Sequence, residues 1–447
     1  MQRVWINLFQ SKTRLMVVLR FILFLAIVFM GIERLRIMLS YLQSTFTYNN
    51  RDVLQYYLIA KATVSGVNPY LPLNVLTQLF IGDVPYFPHP APCPPFLTIL
   101  FVPLSFFELN QVTVFIFIVE LVLLVGIACF LTLLWKNRID WIAAVCIWFL
   151  LLAWYPVAND LSYGQLSILL TFFLLAGLLA FGKKRRVLGG VLIGFTVAIK
   201  LITWPLIIYF AIKKDWRSLI TSCLTVIGLN LIALVVMGAG PFTDYYFHVT
   251  TQVTSIYQSA MHNLSLWSIG FRLFSGTGSK FMDNFITAPP LVYAPKIAPL
   301  VSIFLLVAFL LTALVWASKS KQLEVGFAIM VCAMLLVSPI SWAHYYILLL
   351  IPLSILLQYL VNRSYPPWQT LIFVIICLLL FLFNEQIGNL IVSMNGGADI
   401  LEANGDKITF ISSLISYLPT IEVIFLTILM RISCFQGKEA INSSLNA

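Results

Sequence analysis

The chain has 447 residues, of which 61% are hydrophobic and only 10% are charged, and its mean hydropathy is +0.97. Soluble domains average about 25% charged residues, so this composition excludes an ordinary soluble fold. The net charge of +10 would suggest a nucleic-acid partner in a soluble protein. Here the basic residues lie in short breaks between apolar runs, which is the positive-inside pattern of membrane proteins. We therefore expect an all-α polytopic membrane protein that contacts membrane lipids and binds no nucleic acid.

The basic clusters predict the direction of each apolar run, given that a span needs about 20 apolar residues. The short run 96–107 is predicted to be a helix lying in the outer interface, because the next span must end inside, at Lys136 and Arg138. The predicted crossings are, in chain order, 15–33, 111–135, 140–156, 165–182, 218–238, 297–317, 323–338, 345–361, 367–384 and 413–432.

The stretch 187–212 runs from one basic cluster to another and is too short for two full crossings. It is predicted to form a pair of short, broken helices that enter and leave on the same side, with Lys200, Thr203, Trp204 and Pro205 at the apex. Broken helices at membrane depth are tolerated where they are buried in protein or line a cavity.

Together these assignments predict about 12 membrane segments in a single integral membrane domain, 1–447, with both termini cytoplasmic. Two large external regions follow from the same count. The first is a loop over 40–110 with interfacial helices, and the second covers 240–295. Most of the acids and histidines that could carry chemistry lie on this external side.

Asp52 is the first candidate for chemistry, because it lies at the membrane-proximal part of the first external loop and is followed by Tyr56 and Tyr57. A carboxylate near apolar and aromatic neighbours can have its basicity tuned for proton abstraction. The alternative is a solvated loop aspartate paired with Arg51. No D-x-D triplet occurs in this loop, which argues against a bound divalent metal, and no cofactor is expected.

Six short motifs follow one another along the chain: D-x3-YY-x2-A-x5-GVNPY from Asp52, PYFPHPAPCPPF, YGQ, AIKLITWP, HNLSLW and SPISWAH. In this order and on this topology the chain resembles glycosyltransferase family 87 from about residue 45 to about residue 360. The family's tyrosine-proline-proline is matched here by Pro94 and Pro95, with Cys93 in place of the aromatic residue.

The resemblance implies a GT-C fold and an inverting transfer of a sugar, in this family mannose, from a polyprenyl-phosphate donor to a lipid or glycan acceptor. It makes Asp52 the general base and places His344, in SPISWAH, near the donor phosphate. It also implies a bacterial plasma membrane with the active site facing outward. The residues expected to bind substrate are His344, Lys200, Arg272, His262, Asn263, Ser265, Tyr163, Gln165, Tyr56, Asn68, Tyr70 and Trp342.

Other interpretations stay open at this point. Lys200 either binds the phosphate headgroup or extends its ammonium to an interface, and His344 could be satisfied by a neighbouring helix. The protein as a whole could instead be a transporter or flippase of a lipid-linked or amphiphilic solute, or a non-catalytic membrane assembly protein. The acceptor, the sugar, the oligomeric state and the organism are not determined by the sequence.

Overall fold

The computed structural model describes residues 14–44, 52–82, 86–278, 286–362 and 366–435. The predicted positions of Arg51 and of both chain ends lie outside these residues. Within them the protein is helical, and its only extended pairings are two isolated bridges, Thr277 with Ala288 and Thr287 with Lys407. The helices are α1 (Arg14–Ser44), α2 (Asp52–Val64), α3 (Leu73–Phe80), α4 (Pro95–Phe101), α5 (Leu109–Lys136), α6 (Trp141–Ala153), α7 (Tyr155–Tyr163), α8 (Ser167–Gly182), α9 (Arg186–Ile199), α10 (Pro205–Ile212), α11 (Trp216–Met237), α12 (Ala239–Asp244), α13 (Thr250–Tyr257), α14 (Leu266–Ser275), α15 (Ala298–Lys319), α16 (Leu323–Val337), α17 (Leu350–Asn362), α18 (Pro367–Met394), α19 (Ala398–Ala403), α20 (Phe410–Ile415) and α21 (Leu418–Phe435).

The predicted apolar runs all correspond to helices, and two of these helices extend well beyond the apolar runs that predicted them. Helix α1 continues from the predicted end at residue 33 to Ser44, and α18 continues from 384 to Met394. Polar residues end an apolar run but do not end a helix. In α1 the extension carries an ion pair one turn apart, Arg36 with Glu33 at 3.0 Å, of the kind that stabilises exposed helical turns.

The predicted break in 187–212 is present. Helix α9 ends at Ile199, the next residue, Lys200, has an extended backbone (φ −149°, ψ 119°), and a single 3₁₀ turn, Leu201–Thr203, leads into α10. Pro205 begins α10, a position where its missing N–H costs nothing. The sequence thus fixes a non-helical residue, Lys200, between two short apolar helices.

Helix α9 is held against α11 by glycines spaced four residues apart. A Cβ on Gly190 would lie 2.7 Å from the Ser218 carbonyl oxygen, and one on Gly194 would lie 2.5 Å from the Ser222 carbonyl oxygen. Small residues let membrane helices approach this closely. Helix association in a bilayer depends on such van der Waals packing, because the hydrophobic effect does not act between helices in lipid. We conclude that this contact fixes the end of α9 and therefore the position of Lys200.

Helix α16 forms the centre of the molecule. Every residue from Val325 to Val337 is buried, as expected for a helix that is apolar on all sides. Its C-terminal end delivers the SPISWAH segment, which then continues as a 3₁₀ helix, Ala343–Leu349, into α17. The segment that carries Trp342 and His344 therefore starts from the most buried helix.

The described residues contain five helices, or consecutive helical runs, that are long and apolar enough to cross a membrane, and up to seven if two bent pairs each count as one span. One bent pair is α6 with α7, which turn by 71° at Trp154, so the residues up to Tyr163, between the predicted crossings 140–156 and 165–182, are helical. The protein is thus an all-helical polytopic membrane protein. The count of 12 segments and the sidedness of the termini stay predictions, as does the division into domains.

The two predicted external regions contain short helices. The first holds α2, α3 and α4, followed by the 3₁₀ turn Val102–Phe106, and the second holds α12, α13 and α14. Helix α4 buries Phe96, Leu97 and Phe101, while Phe106 and Phe107 beyond it are exposed. The interfacial placement of 96–107 stays a prediction.

Candidate active site

A cavity of about 620 Å³ lies where the two regions predicted to be external meet the broken helix pair and the SPISWAH segment. It is bordered by the start of α2, residues 87–94, the α7–α8 junction, Lys200, α13 and residues 338–345. Among the described residues that line it, Asp52 is the sole carboxylate and Lys200 the sole lysine or arginine. A pocket with few charges of opposite sign is the usual form of a site that orients a polar ligand.

Asp52 is the first residue of α2, and both of its carboxylate oxygens are held by amide side chains. Gln55, one turn along the helix, donates to Oδ1, and Gln165 donates to Oδ2. Burial raises the pKa of Asp52 above its ordinary value, while the hydrogen bond from Gln165 and the charge of Lys200 partly offset the rise. The carboxylate is therefore oriented and made more basic than a solvated aspartate.

Gln165 joins Asp52 to Lys200. Its amide oxygen accepts hydrogen bonds from the Tyr56 hydroxyl at 3.0 Å and from the Lys200 ammonium at 2.9 Å. Because an ammonium only donates, the amide oxygen must face Lys200, and the amide nitrogen must then face Asp52. A single side chain thus sets the base and the cation in a fixed relation.

Lys200 has only neutral partners. Its ammonium donates to Gln165 and to the Tyr345 hydroxyl, each at 2.9 Å, and no carboxylate of the described chain lies within ion-pair distance of it. Removing a cation from water without an anionic partner is costly. Lys200 therefore offers the cavity a positive charge that an anionic ligand could neutralise.

His344 also faces the cavity with an unused polar atom. Its side chain is buried, and Nε2 makes no hydrogen bond among the described residues. A ring nitrogen of this kind can donate to a phosphate oxygen. Of the four histidines in the chain, three line the cavity: His89, His262 and His344.

Seven other predicted substrate-binding residues divide according to whether they reach the cavity. Tyr56, Tyr163, His262 and Trp342 line it, as Gln165 does. Asn68 and Tyr70 instead shape the first external loop. The Asn68 side chain accepts from the Tyr70 backbone N–H at 2.9 Å, and the Tyr70 hydroxyl donates to the Cys93 carbonyl at 2.9 Å. They support the wall of the cavity without lining it.

Asn263 and Ser265 are also placed behind the cavity. The Asn263 amide donates to the Pro339 carbonyl at 2.9 Å and accepts from the Ser341 backbone N–H at 3.0 Å. Ser265 caps the start of α14 by accepting from the Ser268 N–H. Both residues hold the SPISWAH segment against the second external region, so their contacts are structural.

Arg272 lies outside the cavity, and both terminal nitrogens of its guanidinium are engaged. It donates to the Met261 carbonyl at 3.2 Å, to the backbone and side chain of Ser413 and to the Ser416 hydroxyl. The guanidinium also stacks on the Tyr417 ring at 3.8 Å. The geometry does not bring Arg272 to a ligand in the cavity, and it ties α14 to the C-terminal helices instead.

The fold also brings into the cavity residues that the sequence did not indicate, among them His89, Tyr257 and Tyr345. His89 lies inside the motif PYFPHPAPCPPF, and Tyr345 directly follows SPISWAH. Their position in or next to these motifs was the available sequence signal. Tyr257 had no local signal. No group of three histidine, cysteine or carboxylate side chains in the described ranges could hold a metal ion, and the expectation of no cofactor stays a prediction.

The cavity holds one carboxylate and one lysine with neutral partners in a membrane-embedded helical frame, a composition typical of an enzyme active site. A profile of glycosyltransferase family 87 matches residues 93–339, more than half of the chain. The chain therefore belongs to glycosyltransferase family 87. Gln165 and Lys200 lie inside the matched range, whereas Asp52 and His344 lie outside it.

Three curated relatives are polyprenol-phosphate-mannose-dependent mannosyltransferases. An alpha-(1-2)-phosphatidylinositol mannoside mannosyltransferase of Mycobacterium tuberculosis is 24% identical over 67% of this chain and 68% of its own length. The enzyme of the same name from Mycolicibacterium smegmatis is 23% identical over 53% of this chain and 51% of its own length. An alpha-(1-2)-phosphatidylinositol pentamannoside mannosyltransferase of Mycobacterium tuberculosis is 24% identical over 64% of this chain and 62% of its own length. No solved structure matches the chain. Family and relatives together support a mannosyltransferase.

Proposed function

We propose that the protein has a GT-C fold and transfers a mannosyl unit from a polyprenyl-phosphate donor to a hydroxyl group of a lipid or glycan acceptor, at the outer face of the plasma membrane. The observation that carries this proposal is the bridge made by Gln165 between Asp52 and Lys200. A carboxylate and an ammonium bound to opposite ends of one side chain, both lining the cavity, support the roles of general base and phosphate-binding cation.

The reaction needs one proton acceptor and a group that stabilises the departing phosphate. Asp52 takes the proton from the acceptor hydroxyl as the new bond forms between its oxygen and the anomeric carbon. The bond from that carbon to the phosphate oxygen breaks, and the electron pair leaves with polyprenyl phosphate. The ammonium of Lys200 and the free nitrogen of His344 stabilise the charge that develops on the phosphate.

A single displacement with inversion fits the charges of the cavity. A double displacement with retention uses a second carboxylate as nucleophile, about 5–5.5 Å from the first. Asp52 is the only carboxylate among the described residues that line the cavity. This composition supports inversion, and family membership argues against the transporter and assembly-protein alternatives.

The direct test is to incubate the purified protein in detergent with polyprenyl-phosphate mannose and a mannoside acceptor, and to measure released polyprenyl phosphate. Asp52→Asn keeps the shape of the side chain but removes the base, so turnover should fall at least ~100-fold, the usual contribution of general-base catalysis. The matched control is Asp399→Asn, at an exposed carboxylate of α19. Turnover of Asp52→Asn within a few-fold of wild type would reject the proposed base.

The outward orientation is tested by labelling single cysteines in a cysteine-free background with an impermeant thiol reagent. We expect cysteines at the exposed positions Leu79 and Phe247 to react from outside, and cysteines at Lys184 and Arg217 to be protected. Reaction at only one of the last two positions would show that 187–212 crosses the membrane once.

A further inference from the structure

Four aromatic rings line one side of the cavity in continuous contact, and we call them the aromatic wall: Phe87, His89, Tyr257 and Trp342. The ring of Phe87 stacks on His89 with centroids 5.3 Å apart, and His89 meets Tyr257 edge-on at 5.4 Å. Tyr257 in turn meets Trp342 edge-on at 5.3 Å. Three separate segments of the chain contribute, so the aromatic wall exists only in the folded protein.

A hydrogen bond at the middle of the aromatic wall fixes the two buried rings. Nδ1 of His89 lies 2.9 Å from the Pro90 carbonyl, which can only accept, so Nδ1 carries the proton. Nε2 is then the acceptor for the Tyr257 hydroxyl at 2.7 Å. These two rings are buried, whereas Phe87 and Trp342 are partly exposed. The two buried rings are therefore held in place, and Phe87 and Trp342 form the more exposed ends of the aromatic wall.

The aromatic wall lies near the base and beside hydroxyl groups. Tyr257 and Asp52 line the same cavity, and the negative charge of Asp52 adds to burial in raising the pKa of the Tyr257 hydroxyl. Thr250 and Thr254 line the cavity from the same helix as Tyr257, at spacings that put all three on one face of α13. Flat rings and hydroxyls are thus next to each other.

We propose that the aromatic wall is the acceptor subsite and that it takes a pyranose ring, stacked by its C–H face on Phe87 and Trp342, with its hydroxyl rim towards Thr250 and Thr254. This rests on the proposed function, because a sugar hydroxyl bound here must reach Asp52. The negative face of an aromatic ring attracts polarised C–H groups. A prenyl chain has no polar atoms to place against the two threonines.

The size of the cavity agrees with this occupant. Its volume of about 620 Å³ falls within the range of ~300–1,000 Å³ that encloses drug-sized ligands, which are larger than a single hexose. The donor sugar at the Lys200 end therefore leaves room for a second ring at the aromatic wall.

The kinetic test uses two acceptors that differ only in the ring: octyl α-D-mannopyranoside and octyl glyceryl ether. In Trp342→Ala and Phe87→Ala we expect the KM for the mannoside to rise roughly tenfold, in line with the loss of one aromatic stack. The KM for the ether and the KM for the donor should stay unchanged. Trp342→Phe should restore most of the mannoside affinity, and Trp216→Ala, at an exposed tryptophan of α11, is the matched control.

Two kinetic outcomes would overturn the proposal. An increase in the donor KM instead of the mannoside KM would assign the aromatic wall to the prenyl chain. Equal increases for both acceptors would show that the ring is not recognised. A wild-type protein that releases no polyprenyl phosphate with either acceptor would contradict the proposed function, and the subsite then rests on binding alone.

Binding is measured without turnover by saturation-transfer NMR of methyl α-D-mannopyranoside, in a detergent that has no sugar headgroup. We expect transfer to the C–H protons of the ring in wild type and in Trp216→Ala, and its loss in Phe87→Ala and Trp342→Ala. Absence of transfer in wild type, or equal transfer in all four proteins, would reject the aromatic wall as a sugar site.

Discussion

The region around Lys200 and the region around Arg272 each contain a cation that the sequence motifs predicted to bind substrate. In the fold the two cations differ in whether they face the cavity and in how many of their hydrogen-bond donors are already used. Lys200 donates to two neutral oxygen atoms and faces the cavity. The guanidinium of Arg272 is shared among Met261, Ser413 and Ser416 and stacks on Tyr417, with only 2% of its surface exposed.

The difference shows that burial of a cation does not by itself indicate a ligand. A lysine is a flexible point charge that can exchange a neutral partner for a phosphate, whereas the planar fork of an arginine is fixed once its donors are used. Lys200 follows a break in a helix, where its ammonium can reach the cavity. Arg272 lies within α14, and its hydrogen bonds connect α14 to Ser413 and Ser416 near the C-terminal helices.

Among the substitutions that test this comparison, the one at Lys200 is expected to have the largest effect on catalysis. Lys200→Gln should lower kcat/KM for the donor roughly 10- to 100-fold, because a hydrogen bond to a charged group contributes about 1.5–3 kcal/mol. The KM for the acceptor should change little, and Lys200→Arg should recover part of the loss. A donor titration measures this, with Lys319→Gln, at an exposed lysine that ends α15, as the control. An unchanged donor titration in Lys200→Gln would return Lys200 to a structural role.

Gln165 is expected to matter somewhat less, because it acts through the two charged groups. Gln165→Leu leaves Asp52 and Lys200 in place but removes their common partner, so kcat should fall about tenfold, less than the ~100-fold that a 1 Å misplacement can cost. The KM values should stay within a few-fold. Gln252→Leu is a matched change on the exposed side of α13. Equal kcat in both variants would show that Gln165 does not position the base.

Arg272 should give the opposite result to Lys200. Arg272→Gln removes donors that buried oxygens of Ser413 and Ser416 need, so the free energy of unfolding should fall by on the order of 3 kcal/mol. Kinetics per folded molecule should stay within a few-fold. Thermal unfolding in detergent, followed beside Arg217→Gln at an exposed arginine, measures the loss. A raised donor KM in Arg272→Gln would erase the distinction between the two cations.

The smallest expected effect is a shift in pH dependence. Because burial raises the pKa of Asp52, and a base must be ionised to act, kcat/KM should fall on the acid side at a pH above the ordinary value for aspartate. The charge of Lys200 lowers that pKa, so in Lys200→Gln the acid limb should move to higher pH. Arg272→Gln should not move it. A pH–rate profile of the wild type, Lys200→Gln and Arg272→Gln measures this. Identical acid limbs in all three would show that the charge of Lys200 does not influence the pKa of the base.

The sequence by itself determined the helical membrane class, because apolar runs and basic breaks are local properties of the chain. It also predicted a break within 187–212, since a run of 26 residues between two basic clusters cannot cross twice, and the break lies at Lys200. The short motifs were sufficient to indicate the family, and family membership is confirmed. In each case the information lies within one stretch of the chain.

Only the tertiary structure decided which motif residues meet. Gln165 reaches Asp52 across 113 positions, and Lys200 reaches Tyr345 across 145. The same packing turned Asn263 towards Pro339 and Arg272 towards Ser413, away from the cavity. A polar residue in a motif has several ways to satisfy its hydrogen bonds, and the choice between ligand and neighbour depends on which distant segments the helices bring beside it.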